Sequence, residues 1–517
     1  MAFGILESRA AYPPGTSLLE LVHSTEVKIV LVPQPSDSRS DPLNWSKVRK
    51  EAFFLTIVFG TCATGVIGPV LVPGFSIVAA DFGLTLTQVS LLNGSLVMGL
   101  GVSAYICAAI APIYGNRLIY LLTTMLSIVS CVWAASAKSY GSLVGSRTVQ
   151  GLAMGGFFGL AGTISINDVW FTHERGVRVG LWNMASIASI NIAPIISGYV
   201  IVDMGWRWSF WLLAITYGIV LLAVVLFLPE TAFDRSGRML PDDLTFAISS
   251  NNNNDLATGT NDASGIAEEH IRANRRILGL GNFKIRAQSG VISRLTSPLL
   301  LLRAPATIWS CAQWSVVYSW MIISSLVAEQ IFAAPPYNMN SIQVGIFIGC
   351  APLVGAVLGT FISGVFSDYI VKLMSIRNNG IYEPEFRLVV MLPFVVIWCV
   401  GTYGLGAALE NQMSKVVCGT FLAIIAFAVG VGCTGVVSYS NDVCRGRAAE
   451  SFGITMIIKS AFAFGLTFMM NDYYANHGPM VFMATWASLT LGVTLTTIPL
   501  YVFGKRSRAW THEQNIL

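Results

Sequence analysis

The chain has 517 residues, of which 54% are hydrophobic and only 11% charged, with a formal net charge of +4. Soluble domains carry about 25% charged residues, so this composition excludes one and points to an all-α protein threaded repeatedly through a lipid bilayer. So small a net charge gives no ground for nucleic-acid binding, and the information lies in where the basic residues fall.

Residues 1–50 read as a polar cytoplasmic tail, with Glu7, Arg9, Glu20, Glu26 and Lys28 and no apolar core that would make a secretory signal peptide. The tail ends in DPLNWSKVRKE, where Trp45 suits a membrane interface and Lys47, Arg49 and Lys50 suit its inner side. Twelve apolar runs follow, each of about 20 residues or more, the length a bilayer requires. They cover approximately 52–78, 87–111, 117–137, 141–166, 176–201, 207–228, 305–332, 341–366, 387–409, 414–440, 448–471 and 478–502. Between the sixth and seventh, residues 230–304 form a cytoplasmic linker, with NNNNDLATGTNDASG as a disordered stretch and HIRANRRILGLGNFKIR near the inner leaflet. The expected fold is therefore twelve transmembrane helices in two six-helix bundles, 51–229 and 305–504, closed by a cytoplasmic tail, 505–517.

Basic residues fall in alternate connections. Arg117, Arg175, Arg178, Lys372, Arg377, Arg387, Arg445, Arg447, Lys505, Arg506 and Arg508 lie on one side, against Lys138, Arg207 and Lys415 on the other. The positive-inside rule then puts both termini in the cytosol. The nine cysteines offer no pair in an exterior loop and read as small apolar packers.

The halves are alike. Asn167-Asp168-Val169 closes the fourth span and Asn441-Asp442-Val443 the tenth, each followed by a basic turn. Glycines line both helices upstream, Gly155, Gly156, Gly159 and Gly162 in one and Gly430, Gly432 and Gly435 in the other. The corresponding positions favour duplication over chance, so the bundles are expected to be pseudo-symmetric.

Several residues sit where lipid alone would not tolerate them. Arg147 lies inside the fourth span with Gln150 and Gly151 one turn on, and burying it costs roughly 2.5–3.5 kcal/mol on insertion scales, so it should face a cavity. Lys459 is the comparable cation of the second half, and Glu329 the one acid well inside a run, hence the candidate proton carrier. Gln313, Trp314, Tyr318 and Trp320 suit stacking and hydrogen bonding of an apolar organic ligand, and Asn93, Asn183 and Asn191 are candidate contacts or interhelical glue. Asp168 and Asp442, ending spans on the inner side, suit gate pairs with arginines. Gly430-x-Gly432-x-x-Gly435 fits a dinucleotide fingerprint but lies in an apolar helix, where it means close packing. No GxxxxGK[ST] or HExxH motif occurs, so neither ATP hydrolysis, a metal, a cofactor nor enzyme activity is expected.

These residues resemble the major facilitator superfamily, and within it the fungal twelve-span drug:proton antiporter branch. Arg147 with Gln150-Gly151 is similar to that branch's fourth-span arginine motif, and Gly180-x8-Ser189-x3-Ala193-Pro194-x2-Ser197-Gly198 to its fifth-span antiporter motif. DPLNW, WRWSFW, PET, APPYN and EPEFRL also resemble stretches of fungal members. One loop departs from the pattern: after the second span Pro112 stands where an aspartate is usual and only Gly115 and Arg117 remain, whereas Gly364, Asp368 and Lys372 persist after the eighth. The resemblance implies a cavity lined by the first, fourth, seventh and tenth spans, with an inner gate at Arg117, Asp168, Asp368 and Asp442. It implies a monomeric secondary transporter, placed in the plasma membrane, exporting a drug or secondary metabolite against protons. Uptake of a nutrient or polyamine on the same scaffold is the alternative, with a non-transporting sensor more remote.

Overall fold

The computed structural model describes residues 4–6, 13, 15–18, 41–231, 291–378, 380–444 and 447–514. The asparagine run and most of the basic linker lie outside them. Eleven described segments are long and apolar enough to cross a membrane: α1 (Lys47–Phe82), α2 (Leu86–Tyr114), α3 (Asn116–Ser136), α4 (Tyr140–Val169), α5 (Arg178–Met204), α6 (Trp206–Phe227), α8 (Ser341–Arg377), α9 (Pro384–Glu410), α10 (Lys415–Val443), α11 (Ala448–Thr467) and α12 (Met470–Glu513). Pro305–Phe332, a continuous helix of 28 residues, is α7 and completes the series.

Local chemistry sets the helix ends. α2 opens with a reciprocal capping box between Thr85 and Gln88, and α8 with the same device between Asn340 and Gln343. Gly115 and Gly205, at φ 92° and 90°, turn the chain into α3 and α6 through a backbone region that side chains disfavour. In α4 the regular helix ends at Ala153 and the hydrogen bonds widen to the i→i+5 pattern over Gly156–Ser165.

The same helix pairs recur in the two halves. α1 packs on α5, α2 on α4 and α3 on α6; α7 packs on α11, α8 on α10 and α9 on α12. The halves join along two seams, α2 against α11 and α5 against α8. Small residues permit these approaches. A Cβ at Gly101 would sit 2.5 Å from Ser460 Cβ, and one at Gly198 3.2 Å from the Ser341 carbonyl. The glycines of α10 pack as expected, Gly430 against Thr360 and Gly432 against Phe394.

Two expectations change at the end of the bundle that carries the termini. Residues 505–513, expected as a tail, continue α12, and Arg508 is 1% exposed, its Nη2 2.7 Å from Glu383 and 2.8 Å from Glu385. Buried carboxylates two residues apart need such a fork of donors, so the helix continues to deliver it. Part of the amino-terminal tail is also docked. Ser17–Leu18 (β1) pairs antiparallel with Ile381–Tyr382 (β2), the Leu6 amide donates to the Val502 carbonyl at 3.0 Å, and Ile5 packs with Tyr382 and Phe386.

Candidate transport site

Arg147 is wholly buried at the centre of a hydrogen-bond hub in the first half. Its Nη1 donates to the Ile67 carbonyl and Gln150 Oε1, both at 2.9 Å, and its Nη2 to the Gly68 carbonyl at 3.0 Å and Asn93 Oδ1 at 2.6 Å. The carbonyls are open to it because the α-helical part of α1 ends at Ile67, and Pro69 starts a tighter 3-10 turn. Phe210 covers the guanidinium, its ring centroid 5.6 Å from Cζ. Every one of these acceptors is neutral.

The second half holds the counterpart. Lys459, on α11 and 3% exposed, places Nζ 3.4 Å from the Tyr318 ring centroid and 4.8 Å from that of Trp314, both on α7. The two aromatics stand one helical turn apart with centroids 5.9 Å from each other, forming a two-sided face for the ammonium.

A cavity lies between these groups. Gly68 and Asn93 of the arginine hub, Leu96, Phe158, Ile190 and Tyr318 form its wall, so both halves contribute. A second cavity, sharing Ile190, is lined by Asn191, Pro194, Trp320, Pro352 and Val429. Across the two, α1, α4, α7 and α10 are represented together with α2, α5 and α8. Gln150 stands behind Arg147, its Nε2 3.5 Å from the Ser130 carbonyl. Gln313 turns toward α12, donating to the Val493 carbonyl at 3.1 Å and accepting from Thr494 at 3.3 Å, which is a helix-packing role. Asn183 is half-buried, and the Asn191 side chain donates back to the Ile187 carbonyl at 2.8 Å.

Glu329 lies at the end of α7 distal to the termini and is 5% exposed. Its carboxylate accepts the Ser76 backbone N–H at 3.2 Å and the Ser76 hydroxyl, joining α7 to α1 across the two halves. Asn471 and Asp472 make similar joins nearby, to Ser90 at 2.6 Å and Thr87 at 3.1 Å. No sequence pattern marks Ser76, since its partner is 253 residues away.

At the terminal end the gate candidates make contacts within each half. Asn116 donates to Asp168 at 3.1 Å, and Arg117 Nη2 to the Val225 carbonyl at 3.0 Å. Arg387 and Tyr382 both bond the Asp442 carboxylate, and Arg387 Nη1 lies 3.5 Å from Asp368.

Pro194 and Gly198 of the fifth-span motif form part of the α5–α8 seam, while Ser189 faces Gly65 of α1. Ala193 is fully buried, the Ser189 hydroxyl donates to the Ser186 carbonyl at 2.8 Å, that of Ser197 to the Pro194 carbonyl at 3.5 Å, and Pro194 and Gly198 abut Gly345 and Ser341. Gly180 is exposed and a Cβ there would meet nothing within 4 Å, so the expected packing notch begins only at Ser189.

Two matched six-helix bundles with a cavity walled by both define a polytopic membrane transporter for small substrates. The family model described as Major Facilitator Superfamily matches residues 53–467, and the chain belongs to that family. An uncharacterized MFS-type transporter of Schizosaccharomyces pombe is 26% identical, over 94% of this chain and 89% of the relative. A Gibberella fujikuroi protein described as the trichosetin biosynthesis cluster MFS transporter is 26% identical over 98% and 96%. The fold is shared with the proton:xylose symporter XylE of E. coli at a TM-score of 0.61 and 15% identity, covering 88% of this chain and 97% of that one.

Proposed function

We propose that this transporter exports a small organic compound, of the drug or secondary-metabolite kind, in exchange for protons, with the termini in the cytosol of a plasma-membrane monomer. The observation that carries the reading is the cavity itself, largely apolar and flanked by the Arg147 hub and the Lys459 cage. Such a site takes up a mostly apolar ligand and orients it with a few polar groups. Rocking of one half on the other along the α2–α11 and α5–α8 seams exposes it to each side in turn. The biosynthesis-cluster relative supports export of a natural product.

Coupling is assigned to Glu329. Its join to Ser76 closes the distal end, so the carboxyl is dry when the halves meet there and wet when they part. A group whose hydration changes with conformation links proton occupancy to conformation, and the link is reciprocal. Membrane vesicles loaded with a panel of radiolabelled aromatic compounds test this. Release of at least one compound should quicken under an inward proton gradient, and Glu329→Gln should remove that dependence while exchange persists. No response to the gradient in the unmodified protein rejects proton-driven export.

A further inference from the structure

We infer that the substrate is an organic anion, an apolar or aromatic body bearing a carboxylate or equivalent acidic oxyanion, and that Lys459 is its counterion. The inference rests on the reading of the interhalf cavity as the substrate site and goes further by fixing the charge of what enters it.

Lys459 Nζ has no hydrogen bond or ion pair among the described residues, only the faces of Tyr318 and Trp314. A cation–π contact offsets only part of what an ammonium loses on leaving water. The lost hydration is large, and the three N–H groups still want acceptors. The Tyr318 ring lines the cavity and carries the ammonium on its face, so Lys459, though not itself a lining residue, stands directly beside that wall. The Tyr318 hydroxyl has no partner among the described residues either. Asn93 gives its Oδ1 to Arg147, and its amide NH₂, on the same wall, is a further donor with no partner among the described residues. Behind it Arg147 adds a second buried charge held by neutral acceptors alone.

No aspartate or glutamate lines either interhalf cavity among the described residues. Donors and positive charge thus converge from both halves on a space whose remaining wall is apolar, Leu96, Leu100, Met154, Phe158 and Ile190 among it. A cation would meet two like charges there, and a neutral ligand would leave the ammonium unsatisfied. An anion satisfies it, and the apolar wall takes the rest of the molecule.

Three probes of one shape and different charge decide the matter: tritiated 2-naphthoate, 2-naphthamide and 2-naphthylmethylammonium, bound to the purified full-length protein. Naphthoate should bind at least ten-fold more tightly than the amide, and the ammonium more weakly than either. Lys459→Gln should erase the preference of naphthoate over amide, and Lys459→Arg should keep it. Equal binding of naphthoate and amide, tighter binding of the ammonium, or a preference that survives Lys459→Gln overturns the inference. If Lys459→Gln does not fold, the preference of the unmodified protein decides alone. Vesicle uptake of the same probes separates the two layers. Passage of the amide without any anion preference removes only the charge assignment, whereas passage of none of the three removes the transport reading with it.

Discussion

Arg508 and Glu385 meet as a buried ion pair, Nη2 to Oε2 at 2.8 Å, with side chains 1% and 0% exposed. The pair fastens the last turns of α12 to the start of α9, and removing one partner strands the other charge. Arg508→Gln should therefore destabilise the protein by about 3–5 kcal/mol. Thermal unfolding of the purified protein measures it, and Arg506→Gln, nearby in sequence on the same helix, serves as the comparison.

Glu383 makes this attachment pH-dependent. Burial alone would raise its carboxyl, but bonds from Lys505, Thr16 and Arg508 outweigh burial and hold it below the ordinary glutamate range. A carboxyl depressed on folding adds stability that is complete above its unfolded-state value and lost as pH falls through the lower folded-state value. The docking of β1 on β2 should hold at neutral pH and loosen only in acid below about pH 4. Hydrogen exchange at Leu6 and Leu18 reports it, and Glu383→Gln should weaken the docking at neutral pH and flatten its acid dependence.

Arg147 donates four hydrogen bonds, each of the charge-assisted kind worth about 1.5–3 kcal/mol. Arg147→Ala should abolish transport. Arg147→Lys should rescue it poorly, because a compact ammonium cannot reach two helix-end carbonyls, Asn93 and Gln150 together. Vesicle exchange rates compared at equal protein level decide this, and full transport by the alanine variant returns the residue to a helix-pinning role.

The α5–α8 seam predicts a contrast between two glycines. Gly180→Ala meets open space and should change stability by less than about 0.5 kcal/mol. Gly345→Val would drive a side chain into the Pro194 backbone and should cut transport at least ten-fold while α7 and α10 remain paired. Exchange assays on the two variants, side by side, test the seam, whose Pro194 also lines the second cavity.

Orientation is open to direct labelling. With the nine native cysteines replaced, a cysteine at Ser139 or Asn411, both exposed at the distal end, should react with an impermeant reagent on intact cells, and one at Glu513 should not. The reverse pattern would invert the protein.

The spans were legible because bilayer length and the placement of basic residues are properties of short stretches. Residues 305–332 as expected coincide with α7, and 341 is where α8 begins. Ends were less so: α8 runs to Arg377 because a helix leaving the membrane keeps its backbone pattern through Asp368 and Lys372. Within the site, Arg147 and Gln150 could be paired from their spacing on one helix face. Asn93, on another helix, could be read only as an amide in lipid, and Ser76 carried no signal at all. Lys459, Trp314 and Tyr318 were each visible, but the spacing within α7 does not say that α11 lies across it. The Arg508 anchor was missed for a related reason. An acidic pair in one loop and a basic residue near the end of the chain become meaningful only once the fold brings them together.

Two cations seated inside the bundle, with no acid lining the interhalf cavities among the described residues, also have an electrical consequence. With the Glu329 carboxyl protonated, the interior of the empty protein is positively charged in the field of the membrane, and moving one such charge through the full drop is worth about 2.3 kcal/mol per 100 mV. Under the proposed export of an anion, the substrate cancels part of that charge, so voltage acts more strongly on the unloaded return than on the loaded stroke. Polarisation of the membrane then sets the pace of recovery between one molecule carried and the next.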